Sequence, residues 1–175
     1  GFTGLGNEAI TVSDTGSVAA NTLTTIATAN SSGTLNVSAA GTITGTAGQI
    51  IAAFADSTIT EASDVALTVD TANSGTATLT QARTLDGLTT GVVTATIAAT
   101  DLSDLVGSSP LLDANGNNAF TITIGTDDAS VSAADLNTLD GLTTVAINAG
   151  NVTTITSSTL DSINTLYASS GFSGL

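Results

Sequence analysis

The 175-residue chain has no cysteine, no histidine and no lysine, and Arg83 is its one cation against fifteen acidic side chains. Without Cys or His there is no thiol nucleophile, no imidazole base, no zinc site of the Cys/His kind and no disulfide framework. Without Lys there is no Schiff-base amine and no Lys–Asn isopeptide crosslink. No motif pairs a nucleophile with a base, and no glycine-rich loop precedes a lysine, so no catalytic residue and no cofactor site is assigned and the chain reads as a non-enzyme. A formal net charge of -14 also speaks against nucleic acid, because phosphate binding depends on Lys and Arg displacing counterions. Arg83 itself is expected to pair with a nearby acid.

Long apolar runs are missing too. Nothing approaches the roughly 18 consecutive apolar residues of a spanning helix, so membrane insertion is not expected. The chain does not open with Met, and no basic segment leads into an apolar one, so no signal peptide is expected within this stretch. Aromatic residues make up only 3% (Phe2, Phe54, Phe120, Phe172 and Tyr167). A core here must be assembled from many small side chains in a regular lattice, which is how repeat proteins bury surface.

What is present supports folding. Hydrophobic residues make up 41% of the chain and charged ones 9%, and mean hydropathy is +0.39. Ala, Leu, Ile and Val alternate with Thr, Ser and Gly, unlike the composition of a disordered tail. Self-similarity is visible: Thr84-Leu85-Asp86-Gly87-Leu88-Thr89-Thr90 returns as Thr138-Leu139-Asp140-Gly141-Leu142-Thr143-Thr144, at an offset of 54 (84 to 138). Ile10-Thr11-Val12, Leu67-Thr68-Val69 and Ile122-Thr123-Ile124 recur at 57 and 55. Gly1-Phe2-Thr3-Gly4-Leu5 is echoed by Gly171-Phe172-Ser173-Gly174-Leu175 at 170. Residues 1–175 therefore read as one continuous array of three units of about 57 residues (9–64, 65–118 and 119–175), expected to be a piece of a longer chain or a filament repeat.

Helix-start signals divide each unit. Thr46 with Gln49 and Thr78 with Gln81 fit a capping box. Ser132 with Asp135 and Ser158 with Asp161 have its spacing, and Thr100 and Ser17 are further candidates. Apolar residues three apart follow, as in Leu136/Leu139, Leu160/Ile163/Leu166, Leu102/Leu105, Ile51/Phe54 and Ala82/Leu85, giving a narrow apolar stripe. Between the helices, segments 9–14, 34–44, 65–70, 92–97, 119–124 and 145–155 alternate hydroxyl and aliphatic residues at period two. Turn-like breaks fall at 39–41 and 149–151. The caps recur about every 28 residues, and the same order repeats, which calls for parallel strands joined by crossovers. The expected fold is an α/β repeat, a solenoid of six strand–short-helix coils rising about 4.8 Å per coil. The alternative is a mainly-β solenoid in which the Leu-rich segments are turns.

Thirteen of the acids are Asp. Asp101, Asp104, Asp135 and Asp161 fall in first helical turns, where the dipole favours anions, and Asp86 and Asp140 precede helix-ending glycines. In Asp113-Ala114-Asn115-Gly116-Asn117-Asn118, the alternation of Asp113, Asn115 and Asn117 resembles the start of a calcium loop. It lacks the bidentate Glu at the twelfth position, and Asn-Gly is an ordinary turn signal, so these three residues are assigned at most weak calcium binding. Divalent cations are also expected as diffuse partners of a surface this acidic. Thr-x-Thr pairs at 42/44, 76/78, 94/96, 121/123 and 154/156 suggest hydroxyl ranks of the kind ice-binding proteins present, although drifting caps would leave the ranks imperfect.

Residues 134–144, 164–171 and 4–12 resemble repeats of the giant extracellular surface proteins of marine picocyanobacteria, a family that includes a very large protein associated with swimming motility. Ser108-Ser109-Pro110-Leu111-Leu112 departs from the pattern. The resemblance implies an extracellular or cell-surface structural role with no catalytic residue to carry over. The expectation is a non-enzymatic repeat module that builds a stiff, anionic fibre or surface layer and continues head to tail, covalently or by self-association. A calcium-dependent adhesin and an ice-binding solenoid are the alternatives.

Overall fold

Six helices form among the described residues, and the local chemistry of their first turns sets where each begins. The computed structural model describes residues 6–70, 75–98, 100–111, 113, 115–156 and 158–175. Helices α2 (Ala47–Ala55) and α3 (Leu79–Asp86) each open with a complete capping box. Thr46 and Thr78 accept from the Gln49 and Gln81 amides, while Gln49 and Gln81 accept from the Thr46 and Thr78 amides. Helix α5 (Ala133–Asp140) begins behind Ser132, whose hydroxyl accepts from the Asp135 amide. Each side-chain cap satisfies an amide that the helix itself leaves open.

The other three helices start one or two residues later than expected. Ser17 is drawn into a parallel strand with Thr42, so α1 (Ala20–Ala29) begins behind Ala19 with no side-chain cap. Helix α4 (Leu102–Val106) follows Asp101 rather than Thr100, and its Leu102 amide donates to Asp128 instead. Helix α6 (Leu160–Ala168) is capped by Thr159. The Ser158 hydroxyl accepts from the Ala133 amide at the head of α5, which removes it from capping its own helix. The Leu-rich segments are thus helices and not turns.

The strands are short and every pairing among them is parallel. In chain order they are β1 (Ala9–Thr11), β2 (Ser17–Ala19), β3 (Thr34–Asn36), β4 (Thr42–Gly45), β5 (Ile59–Thr60), β6 (Ala66–Val69), β7 (Thr76–Ala77), β8 (Val93–Ile97), β9 (Ala119–Thr121), β10 (Ser130–Ser132), β11 (Ile147–Asn148), β12 (Thr154–Thr156) and β13 (Phe172–Ser173). One stack runs β2-β4-β6-β8-β9; the Thr123–Asn148 bridge carries it on to β11 and β13. A second stack, β1-β3-β5, lies beside its beginning, and β10-β12 pair near its end. The breaks at 39–41 and 149–151 therefore separate strands of different sheets, giving two strands per helix where one was expected.

Register explains a discrepancy in spacing. Val18 faces Ile43, Ile43 faces Leu67, Leu67 faces Val93 and Thr123 faces Asn148, so strand partners recur at a shorter interval than the helix caps do. The short β7 departs from this, pairing Thr76 with Thr96. Helices recur less often because their place in the turn changes. In the first turns a helix follows the long stack directly, as α1 follows β2 and α2 follows β4. Later an extra strand intervenes: β10 precedes α5 and β12 precedes α6.

The inward positions of this stack are filled by aliphatic side chains. Ile43, Leu67 and Val93 are fully buried, as are Ile50, Leu85, Leu136 and Leu139 from the helices. Phe120 is the one buried aromatic residue among those described, and the ladder sets it opposite Ala95, a large side chain beside a small one. At the two ends the equivalent positions are only half-buried: Ile10 and Val18 at the start, Ile155 and Phe172 at the finish. Leu160 is 80% exposed. Ile43→Ala should therefore cost about 2–5 kcal/mol in urea unfolding, whereas Leu160→Ala should stay within about 0.5 kcal/mol of the parent.

Candidate functional site

The loop after α4 gathers the three residues singled out as cation ligands, and its hydrogen bonds show what they hold. Asp113 Oδ1 accepts from the Asn117 amide at 3.1 Å and the Asn118 amide at 3.3 Å, and Oδ2 accepts from Asn118 at 3.3 Å. The Gly116 amide donates to the Asp113 carbonyl, and Gly116 itself takes the left-handed φ of 67° that the turn requires. Asn115 Nδ2 donates to the Thr89 carbonyl and Asn117 Nδ2 to the Thr90 carbonyl, which ties the loop onto the preceding turn of chain. Asn117 Oδ1 is buried without a partner. Leu112 and Ala114 lie outside the described residues. Among the described residues no three His, Cys, Asp or Glu side chains converge on a point where an ion could sit.

The neighbouring Asn118, which carries no sequence signal of its own, is the buried centre of this region. It is 0% exposed; its Oδ1 accepts from the Val93 amide at 2.9 Å, and its Nδ2 donates to Asp86 Oδ1 at 2.6 Å. Asp86 is itself 3% exposed. The aspartate before the helix-ending glycine therefore reaches forward to a later turn of chain. Asp140, its counterpart in the repeated heptapeptide, does the same by accepting from Ser169 Oγ at 2.7 Å. Gly171 packs so closely on that carboxylate that a Cβ there would overlap it.

The threonines of the two heptapeptides share one pattern. The Thr90 amide and hydroxyl both donate to the Ser63 carbonyl, and the Thr144 amide and hydroxyl both donate to that of Asn118. Thr89 Oγ1 donates to the Val65 carbonyl and accepts from the Gly91 amide; Thr143 Oγ1 donates to Phe120 and accepts from Val145. Each threonine pair thus reaches back one turn while each aspartate reaches forward. At the start of the chain Asn30, 5% exposed, performs the same service, donating to the Glu8 carbonyl and accepting from the Glu8 amide. The recurrence of the heptapeptide was a signal for these contacts, but the distance each side chain spans is invisible without the register.

Strand pairing sets the hydroxyl ranks, and they are imperfect as expected, since Thr42 faces Ala66. Thr44, Thr68 and Thr94 occupy paired positions, and Ala19 and Ala119 stand at either end of that rank. Arg83 makes no ion pair among the described residues. Its Nε is buried without a partner beside a recess of about 230 Å³, and the Asp104 carboxylate lining that recess accepts from Thr100 Oγ1. The ion pair expected of Arg83 with a nearby acid is not found among the described residues.

Two further carboxylates respond to their surroundings in opposite ways. Asp56 accepts from the Thr58 hydroxyl and amide, which holds its pKa below the ordinary value. Burial of Glu61 pushes its pKa up, and its Oε1 is enclosed without a partner. No protein-family model, curated protein or solved structure matches the chain.

Two tests follow from this chemistry. Asn118→Ala leaves the Val93 amide unanswered and removes a donor from Asp86, so it should lower unfolding free energy by about 1–3 kcal/mol in chemical denaturation. For Glu61, a raised folded pKa means that the native state binds its proton more tightly than the unfolded chain, so stability falls as pH rises above the ordinary 4.5. Glu61→Gln should therefore melt higher than the parent near neutral pH and lose that advantage in acid below 4.5, as followed by thermal unfolding at a series of pH values.

Proposed function

We propose that the chain is a non-enzymatic structural repeat, a solenoid of stacked turns that serves as a stiff, anionic element of an extracellular fibre or cell-surface layer. The observation that supports this reading best is the parallel register itself. Partners along the long stack follow one another at a nearly constant interval, Val18 to Ile43 to Leu67 to Val93, and buried side chains bridge successive turns. Thr89, Thr90, Thr143, Thr144 and Asn30 are occupied with backbone groups of a neighbouring turn. The resemblance of residues 134–144, 164–171 and 4–12 to repeats of giant picocyanobacterial surface proteins supports the same reading, as does a composition that needs no oxidising step to fold. Copies of the unit continue head to tail, within one longer chain or by association. Its partners on this view are further copies of the same repeat, with divalent cations as a diffuse counter-charge for a surface of net charge -14.

A structural element exposed to a protease-rich exterior must open rarely, and proteolysis reads that directly. Trypsin has one target, Arg83, which lies within α3. The native chain should resist trypsin over a time in which the urea-unfolded chain is cut completely into 1–83 and 84–175. Rapid cleavage of the native chain would count against a stiff structural role. Calcium separates the adhesin alternative. A diffuse millimolar response unchanged by Asp113→Ala fits the structural reading, and a tight response abolished by that substitution would favour a calcium-dependent adhesin.

A further inference from the structure

The long faces of the stack are closed by paired strands and helices, and its two end faces are not. At the first face, Ile10, Ile26 and Ala29 line an open recess of about 370 Å³, and Val12, Val18 and Leu23 line a second of about 300 Å³. At the other, Ile155 and Ile163 are half-buried and Tyr167 is 66% exposed. Strand β1 pairs only with β3, and β12 only with β10, so each has one edge without a partner among the described residues. Unpaired parallel edges with apolar surroundings are templates for another strand.

We infer that these two edges join copies of the chain in one defined register: β12 of one copy pairs in parallel with β1 of the next, Thr154 opposite Ala9, Ile155 opposite Ile10 and Thr156 opposite Thr11. This rests on the repeat reading above and adds the interface to it. Two independent measures of spacing agree on that register. The echo of Gly1-Phe2-Thr3-Gly4-Leu5 at Gly171-Phe172-Ser173-Gly174-Leu175 sets the sequence offset between copies at 170. With that offset, Ala9–Thr11 of the next copy follows Thr154–Thr156 at the same separation that pairs Ala9 with Thr34 and Ser17 with Thr42 inside the chain. The aliphatic residue is central in both strands, so Ile155 meets Ile10 as Val131 meets Ile155.

The junction also has an internal precedent. By the same offset, the position one such separation beyond Phe172 of β13 is Ala27 of the next copy, in α1. A strand row there gives way to a helix, as it does one separation beyond Ile59 of β5, at Thr84 in α3. The contact joins different surfaces on the two copies, so it leaves both outer ends open and propagates. Each copy carries -14, so association should strengthen as salt screens the repulsion.

The absence of cysteine gives a direct test. Ala9 and Thr154 are both exposed, so Ala9→Cys and Thr154→Cys leave the folded unit intact. Adjacent strands lie about 4.8 Å apart, within the Cα separation a disulfide spans. The parent chain in sedimentation velocity should form a concentration-dependent series that grows with salt. An equimolar mixture of the two variants under mild oxidation should give a mixed disulfide at least tenfold faster than either alone, and tenfold faster than Ala9→Cys with Thr156→Cys. Association without that preference would overturn the register while leaving assembly of repeats standing. A chain that stays monomeric at every concentration and salt would overturn the end-to-end contact, and the trypsin experiment then judges the structural reading separately.

Discussion

Parallel pairing between strands one turn of chain apart, as Ala9 with Thr34 and Ser17 with Thr42, is the constraint on which the rest of the molecule depends. A parallel partner cannot be reached by a tight hairpin, so the chain must travel out and back before each new bond can form. The helices are the means of return. Once the return length is set, Ile43, Leu67 and Val93 pair in succession and form a buried row. The buried residues beside this row are mostly Ile, Leu, Val and Ala. Phe120 is tolerated because Ala95 stands opposite it.

Such a stack presents backbone carbonyls and amides at the corners where strands pass into helices, and these must be satisfied if they are buried. The abundance of Thr, Ser and Asn has its explanation there. A threonine hydroxyl can accept from an amide of its own turn and donate to a carbonyl of the previous one, as Thr89 and Thr143 both do. An asparagine amide can also accept and donate at once, as Asn30 does with the Glu8 amide and carbonyl and as Asn118 does between the Val93 amide and the Asp86 carboxylate. Lysine or arginine in these places would bring a charge and a long side chain with no acceptor role, so a composition poor in cations is compatible with this internal bracing.

Helix existence and strand direction are legible in the sequence because they rest on local signals. The Thr46–Gln49 and Thr78–Gln81 boxes are self-contained, and alternation around Ile43 or Leu67 is visible within a few residues. Ser17 and Ser158 carry the look of caps but do not act as such, because each is claimed by a partner in the next or previous turn, Thr42 in one case and Ala133 in the other. The candidate site shows the same division. The turn around Gly116 is readable from Asn-Gly, whereas the buried pairing of Asp86 with Asn118 spans 32 residues and depends on the register. Arg83 illustrates the limit of charge counting, since a surplus of acids does not supply it with an ion pair among the described residues.

Cross-strand nuclear Overhauser contacts measure the parallel ladder most directly. Amide-to-Hα contacts in the parallel pattern should link Thr42–Thr44 to Ala66–Thr68 and Leu67–Thr68 to Val93–Thr94, and the Leu67 and Val93 amides should exchange slowly. Antiparallel contacts between strands adjacent in the chain, such as β1 with β2 or β3 with β4, would contradict that ladder.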